Sequence, residues 1–219
     1  MTTQTMNFGG YTAPSTIDWF GISAGVLFFR GCSLNCKSCQ NTALLEGEKR
    51  ISLYTVRKLI GESEFVISGV VFSGGEPLEQ AGPLNQLLEW CQRRGLKTYL
   101  HTSGNCPDSL LKVIGKLNGV RLDFKPREQF DCEETYDEYK KRFNASLETI
   151  KASGIDYLIS SVAVEQNYSL KDIYTTLDKD LKKVLIVQGN ECDPKTVRQL
   201  KEEFPGCYLF SREEGLKPN

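Results

Sequence analysis

The chain lacks any apolar run long enough to span a bilayer, and its first residues, Met1-Thr2-Thr3-Gln4-Thr5-Met6, have neither the charged region nor the apolar core of a signal peptide. These two absences predict a soluble cytoplasmic protein. It also lacks charge of one sign: 27 Lys and Arg face 28 Asp and Glu, for a net charge of -1. There is thus no electrostatic footprint for DNA or RNA, and an anionic membrane surface is no better supported. Histidine is almost missing, with His101 the single copy. Neither a linker nor a low-complexity stretch interrupts the 219 residues, so residues 1–219 are expected to form one domain with a sizeable core. Of the eight cysteines, Cys91, Cys106, Cys132, Cys192 and Cys207 are scattered without regular spacing. Without an export signal, that pattern argues for reduced thiols over a disulfide scaffold, and it offers no close pair to nucleate a second metal cluster.

What is present is concentrated in Cys32-Ser33-Leu34-Asn35-Cys36-Lys37-Ser38-Cys39. The apolar run Gly25-Val26-Leu27-Phe28-Phe29 precedes it, with Arg30-Gly31 between, where a glycine lets the backbone fold back tightly. A strand feeding a loop of three close thiols is suited to a soft cation, either zinc or an iron–sulfur cluster. A structural zinc site wants four ligands, and three cysteines leave one position empty. On a four-iron cubane, three thiolates leave one iron open, which is useful for chemistry.

Strand-like and helix-like patterns alternate after this loop. Ser52 reads as the N-cap of an amphipathic helix through Ile60, and Phe65-Val66-Ile67-Ser68-Gly69-Val70-Val71-Phe72 reads as a nearly continuous apolar strand. Helices are expected over residues 84–94, 108–117, 136–153, 170–177 and 194–204. Strands are expected over 97–100, 120–124, 157–162, 184–187 and, closing the chain, 208–210. The charged segment at residues 127–134 reads as a solvated loop. About six βα units and a parallel sheet follow, too few for an eight-fold barrel.

The second strand ends in Ser73-Gly74-Gly75-Glu76-Pro77. Two glycines there let a ligand approach the backbone, Glu76 offers a carboxylate beside them, and Pro77 stiffens the exit. Ligand sites of parallel α/β folds lie at the C-terminal ends of strands, so the cysteine loop and this turn should share one rim.

Cys-x3-Cys-x2-Cys followed by Gly-Gly-Glu-Pro after the next strand resembles the radical S-adenosylmethionine (SAM) superfamily. Ser15 to Gly21, Cys39-Gln40-Asn41, Gly74 to Leu78, Thr102-Ser103-Gly104, Asp123-Phe124-Lys125, Val187-Gln188 and Ser211-Arg212-Glu213-Glu214-Gly215 extend the resemblance to the small glycyl-radical-enzyme activases. Among those it is most similar to the activating proteins of anaerobic ribonucleoside-triphosphate reductase. The resemblance implies an α/β fold, a partial (β/α)6 barrel. It implies a [4Fe-4S] cluster on Cys32, Cys36 and Cys39, with SAM chelating the fourth iron. SAM contacts would come from Gly74, Gly75, Glu76, Pro77, Thr102, Ser103, Asp123, Lys125 and Gln188. No catalytic side chain is implied beyond the cluster and SAM site. A glycyl-radical enzyme would be the protein substrate, and a flavodoxin- or ferredoxin-like protein the electron donor.

Some positions depart from that family's pattern. Ser38 stands where an aromatic is usual, Gln40 where His is frequent, His101 where an acidic residue precedes Thr-Asn-Gly, and Ser103 replaces the Asn. Ser160 and Ser161 stand where an arginine that helps hold the cofactor is common. Phe124 reads as core, and Lys125 as a rim cation for the SAM carboxylate. Rival readings are a radical SAM enzyme acting on a small molecule, such as a 7-carboxy-7-deazaguanine synthase-like enzyme, an electron-carrying module, and a zinc protein using His101 as fourth ligand.

Overall fold

The computed structural model describes residues 4–37, 39–163, 184–188, 202, 208–211 and 215–218. The helix expected over residues 170–177, that over 194–204 apart from residue 202, and the positions Ser38, Cys192, Cys207 and Arg212 lie outside the described residues. Strands β1 (Thr5–Ser15), β2 (Ala24–Phe29) and β3 (Arg50–Ser52) come first, then α1 (Leu53–Gly61) and β4 (Gly69–Gly74). They are followed by α2 (Ala81–Arg93), β5 (Lys97–Thr102), α3 (Pro107–Val113), β6 (Gly119–Phe124), α4 (Glu133–Ser153) and β7 (Asp156–Ala163). Strands β8 (Val184–Gln188), β9 (Tyr208–Ser211) and β10 (Gly215–Pro218) end the chain.

All ten strands belong to one sheet in the linear order β10-β9-β8-β7-β6-β5-β4-β2-β1-β3. Every neighbouring pair from β2 to β9 is parallel, so seven of the described strands run parallel. This is the partial (β/α)6 barrel expected. Antiparallel strands flank it: β1 and β3 beyond β2, and β10 beyond β9. The first described residues, Thr5–Ser15, are thus a sheet strand, and β10 adds a strand beyond the one expected at residues 208–210.

Local chemistry accounts for most boundaries. Ser52 caps α1, its hydroxyl accepting from the Thr55 N–H at 3.1 Å. Gly154, with φ at +70°, ends α4 in the left-handed conformation. Residues 65–68 are a correction to the apolar run: pairing begins at Gly69, opposite Ala24, while Val66 closes a turn onto Ser63 and Phe65 stands 86% exposed. A continuous apolar spelling does not distinguish a strand from the turn that leads into it. The segment at residues 127–134 is also no solvated loop. It makes a 3-10 turn (Arg127–Gln129), buries Gln129 and Phe130, and begins α4 at Glu133. Phe130 is held by its ring contact with Tyr139, centroids 5.0 Å apart.

Alternation along the parallel strands separates two faces. Leu27, Phe29, Val70, Phe72, Leu100, Val120, Leu122 and Ile159 join the main core with the helices. Ala24, Val26, Val71 and Tyr99 turn the other way and are covered by Trp19 and Ile22 from the β1–β2 connection. Trp19 stacks on Tyr99, centroids 4.7 Å apart. Glycine is required beneath both rings: a Cβ at Gly69 would sit 2.8 Å from Trp19, and one at Gly119 would sit 2.6 Å from Tyr99.

Candidate active site

Toward the C-terminal ends of the strands the inner face turns polar, and a cavity of about 400 Å3 opens there. Cys32, Cys36 and Cys39 line it, as do Gly74, Gly75, Thr102, Ser103, Asp123 and Lys125. The cysteine loop and the glycine turn do share one rim.

The two loops are joined through backbone. The Gly75 N–H donates to the Phe29 carbonyl at 2.8 Å, and the Glu76 N–H to the Gly31 carbonyl at 2.8 Å. A Cβ at Gly75 would lie 2.0 Å from the Gly31 oxygen, and one at Gly74 would lie 2.4 Å from Phe29 backbone. Gly31 and Gly74 also hold φ at +97° and +114°, the region that favours glycine. The glycines therefore let two chain segments cross, and the Gly75 and Glu76 N–H groups are engaged in that crossing. Side chains complete the clamp. The Ser33 N–H donates to Glu79 Oε1 (2.6 Å), Asn105 Nδ2 to Ser33 Oγ (3.1 Å), Asn41 Nδ2 to the Gly74 carbonyl (3.2 Å), and the Lys37 N–H to the Gln129 carbonyl (3.3 Å).

Glu76 and Pro77 lie behind the cavity wall, both buried. The Glu76 carboxylate accepts four hydrogen bonds, from Thr102 Oγ1 (2.8 Å), the Leu78 N–H (3.2 Å), and the N–H and Oγ of Ser103 (2.9 and 2.6 Å). Burial pushes its pKa up, and these donors pull the other way. Glu76 thereby ties the end of β4 to the end of β5.

Across the cavity, Lys125 Nζ donates to Asp123 Oδ2 (2.5 Å), and Ser160 Oγ donates to Asp123 Oδ1 (2.6 Å). Burial works against the Asp123 charge, but Lys125 and Arg121 outweigh it and hold its pKa below the usual carboxylate value. Burial also opposes the Lys125 charge, while Asp123 and Cys36 raise its pKa. Lys125 is thus a paired ammonium facing the cavity rather than a solvated one. Tyr139 of α4 reaches in from the helix layer, accepting from the Lys125 N–H (2.9 Å) and donating to the Ser103 carbonyl (3.1 Å). Phe124 is fully buried against Phe143, as expected of a core residue, although it borders the cavity. Gln188 ends β8, and its side chain lies outside the described residues.

His101 lines the cavity and donates Nε2–H to the Asp18 carbonyl at 2.9 Å. Burial, with Arg121 second, lowers its pKa to about 3, so the imidazole is neutral at ordinary pH. Among the described residues no three His, Cys, Asp or Glu side chains converge on a point that one ion would fill. With Nε2 engaged, a tetrahedral zinc site completed by His101 has little geometric support. A cubane, by contrast, spreads its thiolates over different irons. Burial raises the Cys36 thiol pKa and raises that of Cys32 to about 12, so metal loading must displace protons.

Sequence reasoning missed Arg121, which lines the same cavity. The available signal was period-two alternation: Arg121 and Asp123 stand two apart on one strand, with core Leu122 between them.

Comparison with known proteins adds family. Residues 21–118 match the family described as a 4Fe-4S single cluster domain. A putative glycyl-radical enzyme activating enzyme of Methanocaldococcus jannaschii is 24% identical over 200 residues, 88% of this chain and 79% of the relative. The pyruvate formate-lyase-activating enzyme of Clostridium pasteurianum is 27% identical over 77% of this chain and 74% of its own length. The crystal structure of QueE from Escherichia coli shares the fold with a TM-score of 0.57 at 18% identity, over 91% of this chain and 89% of that one. No helix among the described residues is long and apolar enough to cross a membrane. The thiol-lined rim of the partial (β/α)6 barrel thus adjoins the matched 4Fe-4S cluster domain, in a chain similar along most of its length to two glycyl-radical-enzyme activating enzymes.

Proposed function

We propose that this protein activates a glycyl-radical enzyme, with Cys32, Cys36 and Cys39 holding a [4Fe-4S] cluster and the adjoining cavity holding SAM. Anaerobic ribonucleoside-triphosphate reductase is the proposed partner, and a flavodoxin- or ferredoxin-like protein the proposed donor. The observation that carries the reading is the likeness to two activating enzymes along most of the chain.

The residues fit these groups. Three thiols face one open cavity, whose volume is within the usual range for small-molecule sites, about 300–1,000 Å3. When bound, the cluster and SAM supply one-electron reductive cleavage and a 5′-deoxyadenosyl radical for hydrogen-atom abstraction. The chain's own part is position. Gly31, Gly74 and Gly75 fix the thiol loop against the end of β4. Lys125, oriented by Asp123, presents an ammonium for a carboxylate. Thr102 and Ser103, pinned by Glu76, present the end of β5 to the ligand. The sheet order is linear, which supports access by a partner's loop.

Purified without oxygen, the protein should be brown and hold about four irons per chain. Cys32→Ala, Cys36→Ala and Cys39→Ala should each lose them, and Cys91→Ala should not. Mixed with the cognate reductase, SAM and a reductant, it should give a doublet electron paramagnetic resonance signal that disappears when the partner's radical glycine becomes alanine. Silence from every cognate glycyl-radical enzyme, with 5′-deoxyadenosine forming on a small metabolite, would replace this reading with the small-molecule one.

A further inference from the structure

Arg121 has no role in the activity proposed above, yet the fold holds it in place. It lies on the inner face of β6, in register with His101 on β5 and Leu158 on β7. Its Nε donates to Ser160 Oγ at 2.9 Å, and the Ser160 hydroxyl donates in turn to Asp123 Oδ1 at 2.6 Å. Of the guanidinium, only Nε is occupied: among the described residues neither terminal nitrogen has a hydrogen-bond or ion-pair partner, and the side chain lines the cavity. Ser160 thus fixes the plane of a fork whose open end faces the space that a ligand would fill.

The other cation of the cavity serves a different place. Lys125 is coupled to Cys36 and Cys39 and paired with Asp123. The charge of Arg121 is felt instead by His101, Tyr99 and Asp123. The two cations approach Asp123 from opposite oxygens, Lys125 directly on Oδ2 and Arg121 through Ser160 on Oδ1, so their free ends serve different parts of the cavity. Each group facing Arg121 leaves it available. His101 is neutral and bonded to the Asp18 carbonyl, Asp123 is taken by Lys125 and Ser160, and the Asp18 carboxylate accepts from Ser15 Oγ at 2.5 Å.

We propose that Arg121 is a binding point for a carboxylate carried by the substrate, separate from the carboxylate of SAM that Lys125 would hold. This rests on the reading of the thiol rim as a cluster and SAM site. Two parallel N–H donors match the two coplanar oxygens of a carboxylate, whereas a phosphate asks for donors on more sides than one guanidinium provides. The same chemistry could come from a small carboxylic acid or from an acidic side chain on a peptide loop.

The test uses full-length protein, reconstituted with iron and sulfide and saturated with SAM, in anaerobic calorimetry. Benzoate is compared with benzamide, and the capped peptide Gly-Glu-Gly with Gly-Gln-Gly. The acid of at least one pair should bind about tenfold more tightly than its amide, as expected for hydrogen bonds to a charged group. The pair that shows the preference identifies the source. Arg121→Gln should abolish the preference while leaving SAM affinity unchanged. Arg121→Lys, which keeps the charge and loses the fork, and Ser160→Ala, which frees its plane, should each weaken it, so the inference does not depend on one variant folding. An equal affinity for acid and amide in the unaltered protein overturns the proposal. So does a preference that survives Arg121→Gln, a parallel loss of SAM affinity, or tighter binding of inorganic phosphate than of either acid. If the unaltered protein fails to bind SAM, the cofactor reading fails by itself, and the acid–amide comparison without SAM still reports on Arg121.

Discussion

Along β6, Val120, Leu122 and Phe124 turn toward the helices and are fully buried, while their neighbours Arg121 and Asp123 turn into a polar cavity. The same division runs through β4 and β5: Phe72 and Leu100 are core, and Ser73 and His101 line the cavity. The helix face is mainly apolar, and its buried Thr98 and Ser161 hydroxyls are spent on the Lys116 and Phe124 carbonyls. The other is apolar only near the strand starts, where Trp19 and Tyr99 fill the interior, and polar near the ends. Stability should therefore reside on the helix face, and ligand recognition on the upper inner face.

The strongest way to break that comparison is to truncate the helix face. Phe72→Ala should lower unfolding stability by about 3–5 kcal/mol in urea titrations, while the folded fraction keeps its SAM affinity. A loss of SAM binding in the folded protein would mean the two faces are not separable. Next comes the base of the inner face. Gly119→Ala drives a methyl against Tyr99, and overpacking of this kind typically costs about 1–3 kcal/mol. Because Tyr99 stacks on Trp19, the Trp19 fluorescence should shift in that variant and not in Phe72→Ala.

An effect that is smaller for each pH unit concerns acid. His101 has its folded pKa lowered from 6.5 to about 3, so between those values the unfolded chain binds a proton that the folded chain refuses. Stability is then present at neutral pH and falls with acidification, by up to about 1.4 kcal/mol per pH unit. His101→Gln should flatten that slope, and an unaltered slope would assign the acid sensitivity elsewhere. The smallest expected change in stability is at the N-cap of α1, far from the cavity. Ser52→Ala should cost about 1 kcal/mol and leave iron content and SAM binding untouched.

Much of the helix face could be read from the sequence because its signals are local. Ser52 caps a periodic helix, and apolar runs mark the parallel strands. Phe65 and Val66 misled because hydrophobicity without pairing partners does not report where a strand starts. The thiol loop was legible from spacing alone. Glu76 was not, since nothing in Gly-Gly-Glu-Pro reveals that Thr102 and Ser103, a strand away, will consume its carboxylate. Arg121 was hidden for a related reason: a charged residue inside an apolar strand becomes informative only once its face is known. The serines standing where an arginine is usual in the family looked like a loss in sequence. In the structure Ser160 orients an arginine supplied by the neighbouring strand.

The crossing of Gly75 over Gly31 makes the thiol loop and the turn after β4 one mechanical part. Neither can swing out alone, because the Gly75 and Glu76 amides bond to carbonyls of the other segment and no room exists for slippage between them. Amide hydrogen exchange at those two positions should therefore report a single opening event, with one rate and one temperature dependence. A substitution at Gly75 would dislodge the thiol loop together with the cavity wall, so iron content and SAM affinity should fall as a pair whenever that hinge point is altered.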